Sequence, residues 1–256
     1  MTSQHDHDLT PLVDKLARHS PLGDAEIEAL RGLPHRRAMM DRGTYLVREG
    51  DQPGHCAVVL DGFVYRSKVT GNGARQIMSV HLRGDLVCTH DHLLGEADHS
   101  IQALTRAELA YIPQQALLNV AAAFPAIGQA LWHDHLVDAS IYREWLLNVG
   151  QRDARQRLCH ILCELALRQE AAGICDGPDY SWPMTQEQVG DALGLTPIHV
   201  NRTIQRLRRD KLIEMTRGKL TIRNWKALQH EGDFRAGYLH QARRPGATAA
   251  PAFAGA

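Results

Sequence analysis

Basic side chains are concentrated in one short stretch of this 256-residue sequence. Residues 196–226 contain nine Lys and Arg residues against Asp210 and Glu214, a net charge of +7. The whole chain has 29 Lys and Arg and 29 Asp and Glu, so its formal net charge is zero. Guanidinium groups bind phosphates and the edge of guanine through paired N–H donors. The local excess therefore indicates a nucleic-acid-binding surface that the overall charge conceals.

Helix-start and helix-stop signals surround this basic stretch. Thr185 and Gln188 have the spacing of a capping box, and Gly194 is suited to end the helix that follows. Thr196 is suited to cap a second helix, with Pro197 at its first position, where a missing N–H costs nothing. The spacing predicts two short helices, 187–193 and 197–209, joined by a tight turn. This arrangement is typical of a helix-turn-helix.

The second helix has an apolar face and a basic face, and a hairpin follows it. Val200, Ile204 and Leu207 recur at spacings of four and three, so they point inward. The opposite, solvent-facing side consists of His199, Arg202, Gln205, Arg206 and Arg209. Residues 213–216 and 219–222 alternate like strands around Arg217-Gly218, which predicts the wing of a winged helix. Arg217 and Lys219 lie at its tip, where they are placed for phosphate contact.

The first half of the chain has the texture of an antiparallel β domain. Residues 1–150 have 13 basic and 18 acidic side chains, whereas residues 151–256 have 16 and 11. Short β-branched runs between residues 37 and 113 are separated by Gly and Asp, which favours a barrel or jelly roll. The predicted fold class is α+β. The predicted divisions are a β-roll with N-terminal helices (1–125), a dimerisation helix and hinge (126–150), a winged helix-turn-helix (151–232) and a disordered tail (233–256).

One long helix is predicted to join the two halves, ending near a hinge at Gly150. Its apolar positions between residues 126 and 149 fall mostly three or four apart, and they are Ile127, Leu131, Val137, Ile141 and Trp145. A helix this long needs a partner for such a stripe, and a second copy of the chain is the economical one. The alternative is that the stripe packs on the β domain.

The bulk composition excludes several other classes of protein. No apolar run approaches the roughly 18–20 residues of a membrane span, and the first residues have no secretory signal pattern. Five Cys in a chain of this length do not form a disulfide framework. We therefore expect a cytoplasmic protein. No catalytic constellation stands out, so we do not expect an enzyme.

The order of β-roll, long helix, hinge and winged helix resembles the Crp/Fnr family of bacterial transcription regulators. The segments that carry the resemblance are Gly43-x5-Glu49-Gly50-Asp51, Asp61-Gly62, Gly84-Asp85-Leu86 and residues 184–203. The resemblance covers roughly residues 12–230. It implies a homodimer that reads a two-fold site in double-stranded DNA, works with RNA polymerase and responds to a sensor domain.

The resemblance also implies which residues meet DNA. They are Thr185, Gln186, Thr196, Pro197, Ile198, His199, Asn201, Arg202, Gln205, Arg206, Arg217 and Lys219. Arg202 is the candidate for a bidentate contact with guanine. Arg206 suits a base or a phosphate, and Thr196 at the helix start suits a phosphate. Members of the family often carry a charged or polar residue where Pro197 and Ile198 stand, which suggests an apolar contact such as a thymine methyl.

The effector of the sensor domain is not identified by the sequence. A cyclic-nucleotide pocket of this family needs a Gly-Glu turn and then an Arg with Ser or Thr for the cyclic phosphate. Gly95 and Glu96 are present, but His99-Ser100 stands at the later position, and no Arg lies between residues 83 and 106. These four residues are the candidate effector pocket, and a cyclic nucleotide is not expected. An iron–sulfur cluster is not expected either, because the first Cys is residue 56.

A second interpretation arises from His90, His92 and Glu96. Two His at a spacing of two on a strand point the same way, and this spacing resembles the first metal motif of cupins. The motif's closing Gly is absent, since Ala103 stands there. The alternative function is therefore a cupin-like metal-binding enzyme, or a metal sensor, fused to a DNA-binding module. The other interpretation is that these are ordinary polar residues in a loop of the roll.

Overall fold

The computed structural model describes residues 9–87, 95–175 and 178–241. The chain divides into two compact units, one up to Ala139 and one from Ser140. The predicted α+β fold class is confirmed: the first unit contains the β-roll, and the second contains the winged helix-turn-helix.

Eleven elements and the first part of a long helix make up the first unit. They are α1 (Thr10–His19), α2 (Asp24–Arg31), β1 (Arg36–Met40), β2 (Tyr45–Val47), β3 (His55–Asp61), β4 (Val64–Val69), β5 (Arg75–His81), β6 (Leu86–Val87), β7 (Ser100–Ala103), β8 (Ala107–Pro113), α3 (Gln114–Ala123) and α4 (Pro125–Gln151). The strands form two antiparallel sheets of four, in the orders β1-β8-β3-β6 and β2-β7-β4-β5. Apart from the β4–β5 hairpin, consecutive strands alternate between the two sheets, which is the arrangement of a roll.

One close approach in the roll requires glycine. Gly62 lies between β3 and β4 with φ at +78°, in the left-handed region. A Cβ built there would lie 2.3 Å from the Arg106 carbonyl oxygen. The Asp61-Gly62 pair noted in the sequence therefore marks the crossing from one sheet to the other.

The first unit has two apolar cores. The roll interior is filled by small aliphatic side chains such as Val59, Val64 and Leu109. The second core lies between one sheet and the helices, where Leu12 and Leu16 of α1 and Ile127 of α4 pack against Val58. The predicted N-terminal helices are therefore present and cover one face of the roll.

The long helix α4 has two apolar stripes rather than one. The stripe that the sequence singled out is directed inward, since Ile127, Val137, Ile141 and Trp145 are all buried within the chain. A second set, Trp132, Leu136, Leu146 and Leu147, is exposed. The interpretation that the first stripe faces a second copy was therefore wrong, because these side chains are already buried within a single chain. The four exposed side chains form the apolar surface of α4 that no other part of the described chain buries.

The second unit is a helical platform with a small sheet. Its elements are the end of α4, α5 (Ala154–Ala172), β9 (Asp179–Ser181), α6 (Gln186–Leu193), α7 (Pro197–Arg209), β10 (Ile213–Thr216), β11 (Lys219–Ile222), α8 (Trp225–Glu231) and a 3-10 turn (Ala236–Leu239). Asp153 caps α5 by accepting hydrogen bonds from two backbone N–H groups, and Gly173 ends it at φ +67°. Strand β9, which was not predicted from the sequence, adds a third strand to the sheet in the order β10-β11-β9.

The first residues of the expected C-terminal tail are packed. Phe234 and Leu239 are buried, and the Tyr238 hydroxyl donates a hydrogen bond of 2.7 Å to Glu164 of α5. This apolar contact explains why order extends past residue 232. Residues 242–256 lie outside the described residues.

Candidate nucleic-acid interface

The start of α6 is fixed by a reciprocal cap. The Thr185 Oγ1 accepts a hydrogen bond from the Gln188 N–H at 3.2 Å, and the Gln188 Oε1 accepts one from the Thr185 N–H at 3.0 Å. This is the capping box that the sequence predicted. Thr185 and Gln186 are both exposed beside it.

The turn between α6 and α7 depends on two glycines. Gly194 has φ +65° and ends α6, as its position in the sequence predicted. Gly190, inside α6, was not singled out: a Cβ there would lie 2.4 Å from the Leu195 carbonyl oxygen. The Leu195 N–H in turn donates to the Gly190 carbonyl at 3.0 Å. A glycine within a short predicted helix was the available signal for this close backbone contact.

The helix α7 begins at a side-chain cap and buries one face. The Thr196 Oγ1 accepts a hydrogen bond from the His199 N–H at 3.3 Å, with Pro197 at the first helical position. The inward residues Val200, Ile204 and Leu207 are buried as predicted. The start and the rotation of this helix are therefore both determined by contacts within the unit.

The opposite face of α7 is exposed and basic. Its exposed side chains are Thr196, Pro197, Ile198, His199, Arg202, Gln205, Arg206, Arg208 and Arg209, while Asn201 is half-buried. Arg208 donates to Gln205 at 3.4 Å, whereas Arg202 and Arg206 form no ion pair with any described residue. Their guanidinium donors are available to an anion or a base edge.

The wing is a hairpin with an exposed tip. Thr216 pairs with Lys219 across Arg217 and Gly218, whose φ is +78°. Arg217 is exposed, but the Lys219 ammonium lies 2.7 Å from Asp179 of β9. That hydrogen bond lowers the pKa of the Asp179 carboxyl. A phosphate must compete with Asp179 for Lys219, whereas Arg217 has no such competitor among the described residues.

Two arginines of α5 contact the ends of α6, α7 and α8. Arg155 forms ion pairs of 2.7 Å with Asp210, after α7, and with Glu231 of α8. The Arg157 guanidinium donates to the Leu193 carbonyl at the end of α6 at 2.9 Å. Sequence reasoning missed both positioning residues, because each partner lies tens of residues away and no local pattern signals the pairing.

The candidate effector residues lie at one loop and strand start. Glu96 is exposed, Gly95 has φ +86°, and His99 Nδ1 lies 2.7 Å from the adjacent Asp98 carboxylate. The Ser100 hydroxyl accepts a hydrogen bond from the Glu49 N–H. His90 and His92 lie outside the described residues. Within the described ranges no group of three metal-ligating side chains is found.

The interior of the first unit contains a cluster of charged side chains that the sequence did not reveal. Lys15 of α1 lies 2.9 Å from Asp85 and 2.7 Å from Asp134 of α4. Burial alone would lower the pKa of Lys15, but the two carboxylates outweigh it and raise that pKa. Arg66 of β4 pairs with Asp138 at 3.4 Å. We call Lys15, Arg66, Asp85, Asp134 and Asp138 the buried charge cluster.

His81 adjoins the buried charge cluster. Its Nε2 is hydrogen-bonded to the Ser79 hydroxyl at 2.8 Å, and its Nδ1 lies 3.5 Å from Asp85. Burial, with Arg66, lowers the pKa of His81, so the imidazole is neutral at pH 7. The ring therefore adds no positive charge to this interior.

Two cysteines of α5 are core thiols. Cys159 and Cys163 are fully buried one helical turn apart. Burial raises the pKa of Cys159 to about 12 and that of Cys163 well above its usual value. Neither is a thiolate at neutral pH.

A β-roll followed by a long helix and a winged helix-turn-helix with an exposed basic face defines a class of DNA-binding transcription regulator. Two domain models agree with this architecture. The cyclic nucleotide-binding domain matches residues 39–124, and the Crp-like helix-turn-helix domain matches residues 156–231.

Similar proteins and structures point the same way. The chain is 25% identical over 204 residues to the fumarate and nitrate reduction regulatory protein of Vibrio cholerae, covering 79% of this chain and 81% of that one. It is 26% identical over 193 residues to the transcriptional activator protein FnrL of Cereibacter sphaeroides, covering 74% and 77%. FixK2 from Bradyrhizobium japonicum has the same fold, with a TM-score of 0.71 at 20% identity over 77% of this chain and 97% of that one.

The chain belongs to the Crp/Fnr family, and it is a DNA-binding transcription regulator of that type. Among the helices of the described residues, none is both long enough and apolar enough to cross a membrane.

Proposed function

We propose that this protein is a homodimeric, sequence-specific regulator that places α7 in the major groove at each half of a two-fold promoter site. The observation that carries the proposal is the exposed basic face of α7, fixed in rotation by its buried face and in position by the Thr196 cap. The N-terminal residues of a recognition helix contact base edges in this motif. The protein is proposed to act in the cytoplasm, with RNA polymerase as a partner and without enzymatic activity of its own.

Arg202 is proposed to read a guanine. The residues around it are proposed to fix the position of α7 along the DNA. Arg202 is exposed and has the fork geometry for O6 and N7 of guanine. Arg206 lies one turn further on and reaches a base or a phosphate. Phosphate contacts are assigned to Thr185, Gln186, Thr196, Arg217 and Lys219. Further contacts within the groove are assigned to Pro197, Ile198, His199, Asn201 and Gln205.

The exposed stripe of α4 is the proposed dimer surface. Trp132 is 61% exposed and Leu146 is 76% exposed, and Leu136 and Leu147 accompany them. The exposed positions Trp132, Leu136, Arg143, Leu146 and Gly150 are four, seven, three and four residues apart, which is compatible with the heptad spacing of a helix that pairs with its copy. Exposure of several large apolar side chains on one helix is unfavourable in water. Pairing of α4 with α4 of a second copy would bury them.

The sensor function is assigned to the first unit, and its effector is not named. The candidate pocket of Gly95, Glu96, His99 and Ser100 stays a proposal. No described observation favours the metal-binding alternative, since His90 and His92 lie outside the described residues.

The test is selection of bound sequences from random DNA with the full-length protein. We expect a two-fold site with half-sites about 34–36 Å apart. Arg202→Ala should cost about 1–3 kcal/mol and relax specificity at one position per half-site, whereas Arg217→Ala should weaken binding to all sequences and reduce the salt slope by about 1. Arg31→Ala, which removes a half-buried arginine that pairs with Glu28 in the first unit, is the control for loss of one positive charge away from α7.

Three results would contradict parts of this proposal. An equal loss on all sequences for Arg202→Ala would assign that residue to a phosphate. A single asymmetric site would count against the dimer, as would a monomer at binding concentrations. Loss of specific binding in the Arg31→Ala control would contradict the argument that the basic face of α7 is responsible for DNA binding.

A further inference from the structure

The first turn of α7 presents a hydrocarbon surface at the position where base edges are read. Ile198 is 68% exposed, although it stands among polar and basic neighbours on this face. The residue before it, Pro197, has no N–H, and neither side chain contains a hydrogen-bond donor or acceptor. A base pair facing this turn therefore cannot be read through a hydrogen bond from either side chain.

The isoleucine is also held in place. The Thr196 cap bonds the His199 N–H at 3.3 Å, and the Val200 N–H donates to the Thr196 carbonyl at 3.0 Å. Ile198 lies between these contacts in a closed helical turn. A β-branched side chain in a helix has one strongly preferred χ1 rotamer, so little side-chain freedom remains to be lost on binding.

Among the groups that base pairs present in the major groove, only the C5-methyl of thymine is apolar. We propose that Ile198 is a specificity-determining residue that selects thymine by contact with this methyl group. The inference rests on the proposed function, because it requires α7 to enter the major groove.

The spacing on α7 places the selected thymine relative to the guanine. Ile198 and Arg202 are four residues apart, so they lie on the same face about 6 Å apart along the helix axis. Successive base pairs are about 3.4 Å apart. The thymine is therefore expected within two base pairs of the guanine that Arg202 reads.

The experiment uses full-length protein and its selected DNA site, in which each thymine is replaced in turn by uracil. Uracil keeps every hydrogen-bonding group and lacks only the methyl. Burial of one methyl-sized group corresponds to about a fourfold change in the dissociation constant. We expect this loss at one thymine per half-site, and about a fifteenfold loss when both half-sites are changed.

Variants of Ile198 decide whether the methyl contact belongs to this residue. Ile198→Ala should make the thymine and uracil sites bind equally at that position, while Ile198→Val should retain most of the difference. The side chain is exposed, so neither substitution disturbs the core of the unit.

The outcomes separate this inference from the proposed function. Failure to select any DNA sequence overturns both. A selected two-fold site at which no thymine-to-uracil change weakens binding overturns only the role of Ile198. The same holds if Ile198→Ala retains the full preference for thymine.

Discussion

The substitution Lys15→Met should strongly destabilise the first unit. The Lys15 ammonium lies within 2.9 Å of carboxylates on Asp85 and Asp134, and all three side chains are at most 13% exposed. Methionine has a similar length but no charge, so Asp85 and Asp134 would lose the buried ammonium that lies between them. Breaking a buried ion pair by removal of one partner costs about 3–5 kcal/mol. We expect a loss of this size at neutral pH.

The same substitution at an exposed ion pair is the matched control. Lys68 lies 3.3 Å from Glu49, and both side chains are nearly half exposed. Exposed pairs contribute about 0–1 kcal/mol, because water and salt screen them. Lys68→Met should therefore be nearly neutral, although it removes the same charge from the same unit.

Hydrogen exchange in the full-length protein measures the difference. Backbone amides of β3 and β8 report on the first unit, and those of α5 report on the second. At 1.4 kcal/mol per factor of ten, the expected loss corresponds to exchange that is roughly 100 to 4,000 times faster in β3 and β8. Exchange in α5 should change far less.

The loss should also depend on pH. Burial raises the pKa of Asp134, and Lys15 opposes that rise. Without Lys15 the pKa should rise further. A carboxyl whose folded pKa exceeds its unfolded pKa stabilises the folded state as pH falls, and this stabilisation is lost as pH rises through the folded pKa.

The deficit of Lys15→Met should consequently be smaller at pH 5 than at pH 8. Exchange no faster than in Lys68→Met would refute the argument that the pair is buried and uncompensated. A loss of stability in Lys15→Met that is independent of pH would refute the argument that removal of Lys15 raises the pKa of Asp134.

Two further predictions concern the second unit. Gly190→Ala should lower the stability of this unit by about 1–3 kcal/mol, because a Cβ would lie 2.4 Å from the Leu195 carbonyl oxygen. Gly71→Ala, where a Cβ would meet open space, is the control and should leave the melting temperature unchanged. Equal melting temperatures for the two variants would contradict the close contact at Gly190. Burial, with Arg152, lowers the pKa of His160 to about 4, so about 3 kcal/mol of stability should be lost as pH falls from 6.5 to 4. Between pH 7 and pH 4.5, urea unfolding should show a smaller loss in the free energy of unfolding for His160→Asn than for the wild type. An equal loss in both proteins would contradict the assignment of this pH dependence to His160.

The winged helix-turn-helix was predictable because its determinants are local. Thr185, Gly194 and Thr196 each act within three or four residues of their own position, so a cap or a turn can be inferred from spacing alone. The wing hairpin is local for the same reason, since its strands are joined by Arg217 and Gly218. Strand β9 was missed because it joins the sheet from about 40 residues away.

The long helix shows where periodicity alone is insufficient. A repeat of three and four residues identifies an apolar face but not its partner. Trp145 fits the repeat, yet its indole N–H donates to the Glu164 carboxylate of α5 at 3.0 Å within the second unit. The exposed residues Trp132 and Leu136 belong to a neighbouring stripe that the sequence analysis did not separate. Only the fold shows which stripe is already covered.

The buried charge cluster bears on the class of effector. The sequence argument against a cyclic nucleotide rests on a missing arginine, and it would fail if another buried arginine supplied the charge. Arg66 is buried in the roll, but its guanidinium pairs with Asp138. The cluster has two cations against three carboxylates, and His81 is neutral beside it.

An anion that reached this interior would therefore have to displace Asp138 from Arg66 and leave a buried carboxylate without its partner. That displacement has the same penalty as breaking a buried pair, several kcal/mol. The buried charge cluster therefore offers no arginine that could bind a phosphate without this penalty, and the expectation that a cyclic nucleotide is not the effector stays a prediction.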